Sequence, residues 1–187
     1  MEIIYSMKAI EIMNEEHKYI LRMLKVVRKA CLNIMNQEEI IYEDFDKIID
    51  FIRNYSDKHH HKKEEDILFT KMVEHIGETA EKVVNQGMLV EHDLGRLYIR
   101  QLVEALEKVK GGDKEAKLDV IANAISYTHL LERHIDKEDR VIYKFAEREL
   151  SREVLDSINM ECENFEFRNE DIRNKYVLIL EELENRY

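Results

Sequence analysis

Three histidine–glutamate pairs in this chain share a four-residue spacing: His60/Glu64, His61/Glu65 and His134/Glu138. Side chains four residues apart lie on the same face of an α-helix. An imidazole nitrogen and a carboxylate oxygen placed in this way can bind one metal ion from a single helix. Two of the pairs overlap in the stretch DKHHHKKEEDILF at Asp57–Phe69, so this stretch is the strongest candidate for a chemical site.

The composition favours long helices over other kinds of structure. The chain has 187 residues, no proline, five glycines and 37% charged residues. The lack of proline and the small number of glycines leave little room for the turns of a β-fold, and this length suits one domain with a sizeable core. We therefore predict an all-α protein.

Charge, hydropathy and cysteine content exclude several classes of function. The formal net charge is −11, which disfavours nucleic acid and anionic membrane surfaces as partners because both require clustered lysine and arginine. No apolar run approaches the roughly 20 residues of a membrane span, and Met1–Tyr5 does not begin a signal peptide. The two cysteines, Cys31 and Cys162, do not build a disulfide framework. We expect a cytoplasmic protein.

Apolar residues recur at steps of three and four along most of the chain, which is the period of amphipathic helices. The pattern predicts four helices, at residues 7–35, 43–76, 78–110 and 113–150. The short turns between them favour an up-down-up-down antiparallel four-helix bundle as the domain of residues 1–150. Residues 151–187 are predicted to form a helical extension that packs on the bundle, with Ser151 as its N-cap and a break within residues 164–169.

Each of the four predicted helices carries a histidine near its midpoint: His17, His60, His92 and His134. Each histidine lies within about five residues of the midpoint, or roughly 7 Å along the helix axis. Antiparallel packing aligns the midpoints, so the four histidines should share one central layer of the bundle. Glutamates of the second and fourth helices fall in the same layer.

The second helix leaves open which of its polar residues face the core. The apolar residues before the histidines project onto His59, His60 and Lys63. The apolar residues after them project onto Glu64 and either His60 or His61. Periodicity therefore cannot choose between the pair His60/Glu64 and the pair that starts one residue later.

A buried layer of imidazoles and carboxylates needs partners, because an ionised group buried alone costs several kcal/mol. Metal ions remove this cost by accepting the lone pairs. Imidazoles suit iron, zinc, copper and nickel, and carboxylates can bridge two ions. The expected ligands exceed the need of one tetrahedral zinc, so two metal ions fit better than one. The alternative is a helical interaction module whose histidines are purely structural.

Four motifs, in this order and spacing, resemble the hemerythrin-like, or HHE cation-binding, family: EEH at Glu15–His17, HHHKKEEDILF at His59–Phe69, EHDLGR at Glu91–Arg96 and HIDKEDRVIY at His134–Tyr143. The likeness covers about the first 150 residues, and the tail resembles the C-terminal extension of some bacterial members. The resemblance implies a four-helix bundle with a non-haem di-iron centre. In that centre, two carboxylates and an oxo or hydroxo group bridge the two iron ions.

The motifs carry the family's metal ligands onto six positions of this chain: His17, His60, Glu64, His92, His134 and Glu138. The two glutamates would be the bridging ligands. Compared with the oxygen carriers, Met88 replaces a histidine of the third helix, and Glu138 lies four residues after His134 where the carriers have an aspartate at five. Some members with this pattern use the residue just after the second-helix histidine, so the resemblance implies His61 as a seventh ligand.

Other polar residues near the layer have simpler explanations. Glu65 is predicted to orient a ligand imidazole by accepting a hydrogen bond from its N–H group. His59 and His129 are expected to be solvated or to support the layer from outside. Tyr127 is expected to pack in the core; the alternative is a phenol that donates a hydrogen bond to a bound ligand.

The resemblance implies a di-iron protein that binds a small ligand such as oxygen, nitric oxide or hydrogen peroxide for sensing, storage or scavenging. The alternative is a di-iron enzyme with peroxidase-like or catalase-like activity, or an iron donor for the repair of iron–sulfur clusters. The sequence shows no signalling or DNA-binding domain. A sensor would therefore act through a protein partner, and a homodimer is also open.

Overall fold

Six helices make up almost all of the chain that the computed structural model describes, which is residues 8–187. They are α1 (Ala9–Met35), α2 (residues 42–76), α3 (residues 78–110), α4 (residues 117–149), α5 (Arg152–Arg168) and α6 (Glu170–Arg186). Within these residues there is no strand, and no helix has the length and apolarity needed to cross a membrane. The helical content confirms the predicted all-α fold. Two predictions, a helix start at Met7 and the lack of a signal peptide at Met1–Tyr5, fall outside the described residues.

The start of α4 differs from the prediction by four residues. The side chain of Asp113 accepts hydrogen bonds from the backbone N–H groups of Glu115, at 3.0 Å, and Ala116, at 3.3 Å. An aspartate that bonds to the backbone just after itself stabilises a turn. The helix therefore begins at Lys117 instead of Asp113.

The other helix ends follow the signals in the sequence. Gly77 ends α2 with a positive φ of 83°, a conformation that glycine adopts without strain. The Ser151 side chain accepts the backbone N–H of Val154, so Ser151 is the N-cap of α5 as predicted. The break predicted within residues 164–169 is confined to Asn169, between α5 and α6.

α2 departs from regular α-helical geometry in the stretch that holds the candidate ligands. In Ile52–His61 and again in Glu64–Phe69 it forms π-helical turns, in which backbone hydrogen bonds span five residues. Such turns hold more residues than the 3.6 of an α-helix. They rotate the inward face along the helix, which explains why the apolar residues before and after the histidines predict different seams. As a result His59, His60 and His61 are all buried.

Apolar side chains fill the bundle on both sides of a polar layer. The first apolar cluster includes Ile20, Ile48 and Leu102, and the second includes Met13 and Leu68. Along α1, Met13 of the second cluster and Ile20 of the first are separated by a buried polar pair, Glu16 and His17. The histidines predicted to share a layer therefore lie between two hydrophobic halves of one bundle.

The two C-terminal helices pack across α1 and α2. Ile158 and Cys162 of α5 belong to the second apolar cluster, and Tyr176, Leu180 and Leu183 of α6 belong to the first. The extension thus contributes to both halves of the core. Its contacts bring α5 next to the part of α2 that carries the three consecutive histidines.

Both cysteines are predicted to be unreactive in the folded protein. Burial raises the pKa of the Cys31 thiol to about 11 and that of the Cys162 thiol to about 12. Because the thiolate is the reactive form, we expect no modification by iodoacetamide at pH 8 in buffer and modification of both thiols in urea. Mass spectrometry of the two samples checks this, and rapid modification of the folded chain would contradict it.

Candidate metal centre

All seven residues predicted as metal ligands meet in the polar layer, and each is at most 5% exposed. They form two groups, in each of which the ligand atoms lie within 4.8 Å of one another. The two-histidine group consists of His17, His60, Glu64 and Glu138, and the three-histidine group consists of His61, His92 and His134. Either group has the atoms to hold a metal ion. His59 and His129 belong to neither group.

Two carboxylates face nitrogen atoms of both groups. One oxygen of Glu138 lies 3.3 Å from Nε2 of His17, and its other oxygen lies 3.2 Å from Nε2 of His134. Oε2 of Glu64 lies 3.4 Å from Nε2 of His60 and 3.8 Å from Nε2 of His92. Both glutamates therefore lie between the groups, where a bridging ligand would lie.

Four of the five histidines are oriented by carboxylates on the outside of the layer. Their Nδ1 atoms lie 2.6–2.9 Å from carboxylate oxygens in four pairs: His17/Asp139, His60/Glu16, His92/Glu65 and His134/Glu91. An ionised carboxylate only accepts hydrogen bonds, so each Nδ1–H donates and each Nε2 faces the centre. Metal-binding histidines in proteins almost always have such an outer partner, which sets their tautomer and ring orientation.

The four outer carboxylates follow one rule around the bundle. Each reaches from its own helix to a histidine of the next one: Glu16 from α1 to α2, Glu65 from α2 to α3, Glu91 from α3 to α4, and Asp139 from α4 to α1. One residue turns an α-helix by about 100°, so the sequence neighbour of an inward residue points towards the adjacent helix. Only Glu65 was identified from the sequence. The signal for the other three is an acidic residue directly beside a candidate ligand.

His61 is held less firmly than the other four histidines. The nearest carboxylate oxygen to its Nδ1, on Asp57, is 3.5 Å away, which is long for a hydrogen bond. Its ring instead stacks on the ring of His92, with centroids 3.9 Å apart and planes 8° from parallel. The three-histidine group therefore contains one imidazole that lacks a close orienting partner.

A buried tyrosine that sequence reasoning did not single out contacts the centre. The hydroxyl of Tyr143 donates to Oε1 of Glu64 at 2.5 Å, and its ring lies parallel to that of His17. Burial and the nearby glutamate charges raise the pKa of Tyr143 well above its usual value, so the phenol stays protonated. Tyr127, the tyrosine considered from the sequence, is also buried but lies on the opposite side, beside His61 and His92.

Several ligand atoms of the layer have no hydrogen-bond partner anywhere in residues 8–187. These atoms are Nε2 of His60, Nε2 of His61, Oε2 of Glu64 and both oxygens of Glu138. A buried polar atom left unpaired costs about 1–3 kcal/mol, and more when it is charged. All of these atoms belong to the two groups that can hold metal. A pair of cations would satisfy them together, so the residues present fit a two-metal centre.

Burial and neighbouring charges shift the pKa values of several groups in the layer. Burial lowers the pKa of His17, but the hydrogen bond that His17 donates to Asp139 and the nearby Glu138 carboxylate more than offset it and raise the pKa to about 9. Burial also lowers the pKa of His134, but the nearby Glu138 carboxylate more than offsets this effect and raises the pKa to about 10. Burial and the Glu138 charge raise the pKa of Glu64 to about 8. Cation binding must displace such protons and is therefore coupled to proton release.

A second buried polar cluster supports the centre from outside. We call Glu16, His59, Lys63 and Glu166 the lysine cluster. The Lys63 ammonium bonds to both carboxylates, and Nε2 of His59 lies 3.1 Å from each of them. Lysine supplies the positive charge here, so this cluster needs no metal. Since Glu16 also bonds to His60 and Glu166 belongs to α5, the cluster links the extension to the centre.

Residues 8–146 match the model of the hemerythrin HHE cation-binding domain. No curated protein and no solved structure matches the chain significantly. The matched segment includes the residues of both groups and all four outer carboxylates, and it ends before α5. It covers most of the chain, and it confirms the family resemblance inferred from the four motifs. The chain belongs to the hemerythrin HHE cation-binding family.

Proposed function

We propose that the layer holds two iron ions, one in each histidine group, and that Glu64 and Glu138 bridge them. The observation that carries this proposal is the position of the two buried glutamates between inward-facing imidazole nitrogens of both groups. Imidazole and carboxylate ligands suit iron, and the domain family typically binds it. An oxo or hydroxo group would complete the bridge.

The function that this centre supports best is the binding of a small ligand such as oxygen, nitric oxide or hydrogen peroxide, for sensing, storage or scavenging. Five imidazoles and two bridging carboxylates leave some coordination positions of two iron ions free for a bridge and for a ligand. A ferrous pair would supply electrons to a ligand that accepts them. The apolar clusters on both sides, with Ile20 in one and Met13 and Leu68 in the other, limit the entry of water.

The chain's own residues prepare the site for such a ligand. The outer carboxylates hold the imidazoles in place before metal binds, so little reorganisation is required. Tyr143 fixes one oxygen of Glu64 and keeps its proton, with the hydroxyl 3.4 Å from Nε2 of His17. It therefore holds the Glu64 carboxylate in place beside the two-histidine group.

Oxygen titration of the iron-loaded, reduced protein tests this function. We expect a spectral change that saturates at a fixed ratio of oxygen to iron pairs and that reverses when oxygen is removed. Continuous consumption of oxygen or peroxide in the presence of a reductant would contradict a binding role and favour the di-iron enzyme. Nitric oxide titration of the same sample shows whether the centre distinguishes between small ligands.

The outer carboxylates should tune metal affinity without providing ligand atoms. Glu91→Ala removes the acceptor of the His134 Nδ1–H and is expected to lower affinity for one ion by about 10–100-fold. Glu104→Ala, at an exposed position of the same helix, is the matched control and should leave affinity unchanged. Titration of the metal-free variants with ferrous ion under argon measures both effects. Equal affinities for the two variants would contradict the orienting role.

A further inference from the structure

A cleft of about 130 Å³ between α2, α3 and α4 reaches the three-histidine group. Its lining includes His61, His92, Gly95, Arg96, Ile99 and Tyr127. An apolar cavity of similar size, about 150 Å³, is large enough for a benzene molecule. The cleft can therefore admit a molecule as large as an imidazole ring.

His61 forms one wall of this cleft, and it is the imidazole of the centre with the fewest hydrogen bonds. Neither of its ring nitrogens has a hydrogen-bond partner in the described part of the chain. The carboxylate nearest to it, on Asp57, is engaged by Arg96 at 2.7 Å, whereas its distance to His61 is 3.5 Å. The other four imidazoles of the centre each have a carboxylate within 2.9 Å. His61 can therefore leave the centre at a lower cost than they can.

From these observations we infer that His61 is an exchangeable metal ligand, and that the cleft admits the small molecule that replaces it. This inference rests on the proposed metal centre. It assigns the entry of the ligand to the three-histidine group and to the side of the bundle where α2, α3 and α4 meet. The His61 ring would turn into the cleft as the incoming molecule takes its place.

The walls of the cleft favour an uncharged molecule. Ile52, Gly95, Ile99 and Tyr127 supply apolar surface, and transfer of an unpaired ion onto such surface is costly. At the rim, Arg96 is bonded to Asp57, Glu65 and Asp93, and the other arginine of the lining, Arg53, is exposed to solvent. The neutral ligand class proposed for the centre, which includes oxygen and nitric oxide, satisfies this requirement.

Cobalt(II) titration of the metal-free protein tests the exchange of His61. We expect wild type and His61→Ala both to bind two ions. Because an exchangeable ligand contributes little to metal affinity, the affinity of the variant should fall by no more than about 100-fold, the upper cost of losing a group that only orients a ligand. His134→Ala, which removes a firmly held imidazole, should lose one ion. If wild type fails to bind two ions, the proposed centre is wrong. If wild type binds two ions and His61→Ala binds one, the centre stands and the exchange is wrong.

Rescue by free imidazole tests the cleft. His61→Ala should bind one equivalent of imidazole, seen as a change in the cobalt absorption spectrum and as heat in calorimetry. A Cβ atom at Gly95 would meet Tyr127 at 3.5 Å, whereas one at Gly87 of the same helix would meet nothing within 4 Å. Gly95→Val added to His61→Ala should therefore weaken imidazole binding at least tenfold, and Gly87→Val should not. Equal binding by the two double variants, or no binding by His61→Ala, would overturn the assignment of the cleft.

Discussion

Replacement of Glu138 by alanine is expected to abolish the binding of both metal ions. Its two oxygens face nitrogens of different groups, at 3.3 Å from His17 and 3.2 Å from His134. A ligand shared in this way serves both ions, so its loss removes one ligand atom from each ion. It also removes a negative charge that offsets the repulsion between the two cations. Elemental analysis of the variant after loading with ferrous ion and desalting measures the loss.

The matched control for this variant is Glu132→Ala, at an exposed position of the same helix. It should retain both ions, and circular dichroism should show both variants to be helical. Glu64→Ala should behave like Glu138→Ala, because Glu64 also lies between the groups. Retention of one ion by either glutamate variant would contradict the bridging assignment.

Replacement of Lys63 by alanine is expected to lower the free energy of unfolding by about 3–5 kcal/mol, the usual cost of removing one partner from a buried ion pair. The Lys63 side chain is completely buried and bonds to Glu16 and Glu166. Without the ammonium, the buried charge of Glu16 loses its main partner. Urea denaturation of the metal-free protein, followed by circular dichroism, measures this change.

The adjacent residue provides the control. Lys62 is 57% exposed and pairs with Asp66 on the same helix, so Lys62→Ala should cost no more than about 0.5 kcal/mol. Lys63→Met keeps most of the side-chain volume and should still be destabilised, because the lost group is the charge. Similar stabilities of the Lys62 and Lys63 alanine variants would show that the lysine cluster does not hold α5 against the bundle.

The bundle and the identity of its central layer were predictable from the sequence. The periodicity defines four long helices, and antiparallel packing aligns their midpoints, so His17, His92 and His134 had to share a depth in the bundle. The seven candidate ligands lie together in the structure. Their role as metal ligands remains a prediction that the variants described above test.

The inward face of α2 was not predictable. The choice among His59, His60 and His61 depends on π-helical turns, which are defined by backbone hydrogen bonds and leave no clear mark in the residue types. The same kind of turn at Glu138–Ile142 of α4 precedes Tyr143. Five residues after Glu138, this tyrosine would point away from the centre on a regular α-helix. Tyr127, in contrast, lies seven residues before His134, a spacing that puts the two residues on one face of a regular α-helix.

Three of the four outer carboxylates and the lysine cluster were missed for a different reason. Acidic residues beside a ligand, such as Glu16 and Glu91, look like ordinary surface charges until the neighbouring helix is placed. Glu166 adds to this difficulty because it lies about a hundred residues from Lys63, its partner. Recognition of the Lys63–Glu166 pair requires the packing of α5 on the bundle, which the periodicity of the tail does not specify.

The pairing of two iron ions by shared carboxylates is tested most directly by a low-temperature Mössbauer spectrum of the oxidised protein loaded with ⁵⁷Fe. Two ferric ions joined by a common bridge couple their spins, so the spectrum should show quadrupole doublets without magnetic splitting, from two iron atoms per chain. Magnetically split signals of isolated ferric ions, or a chain that retains no iron, would contradict the account.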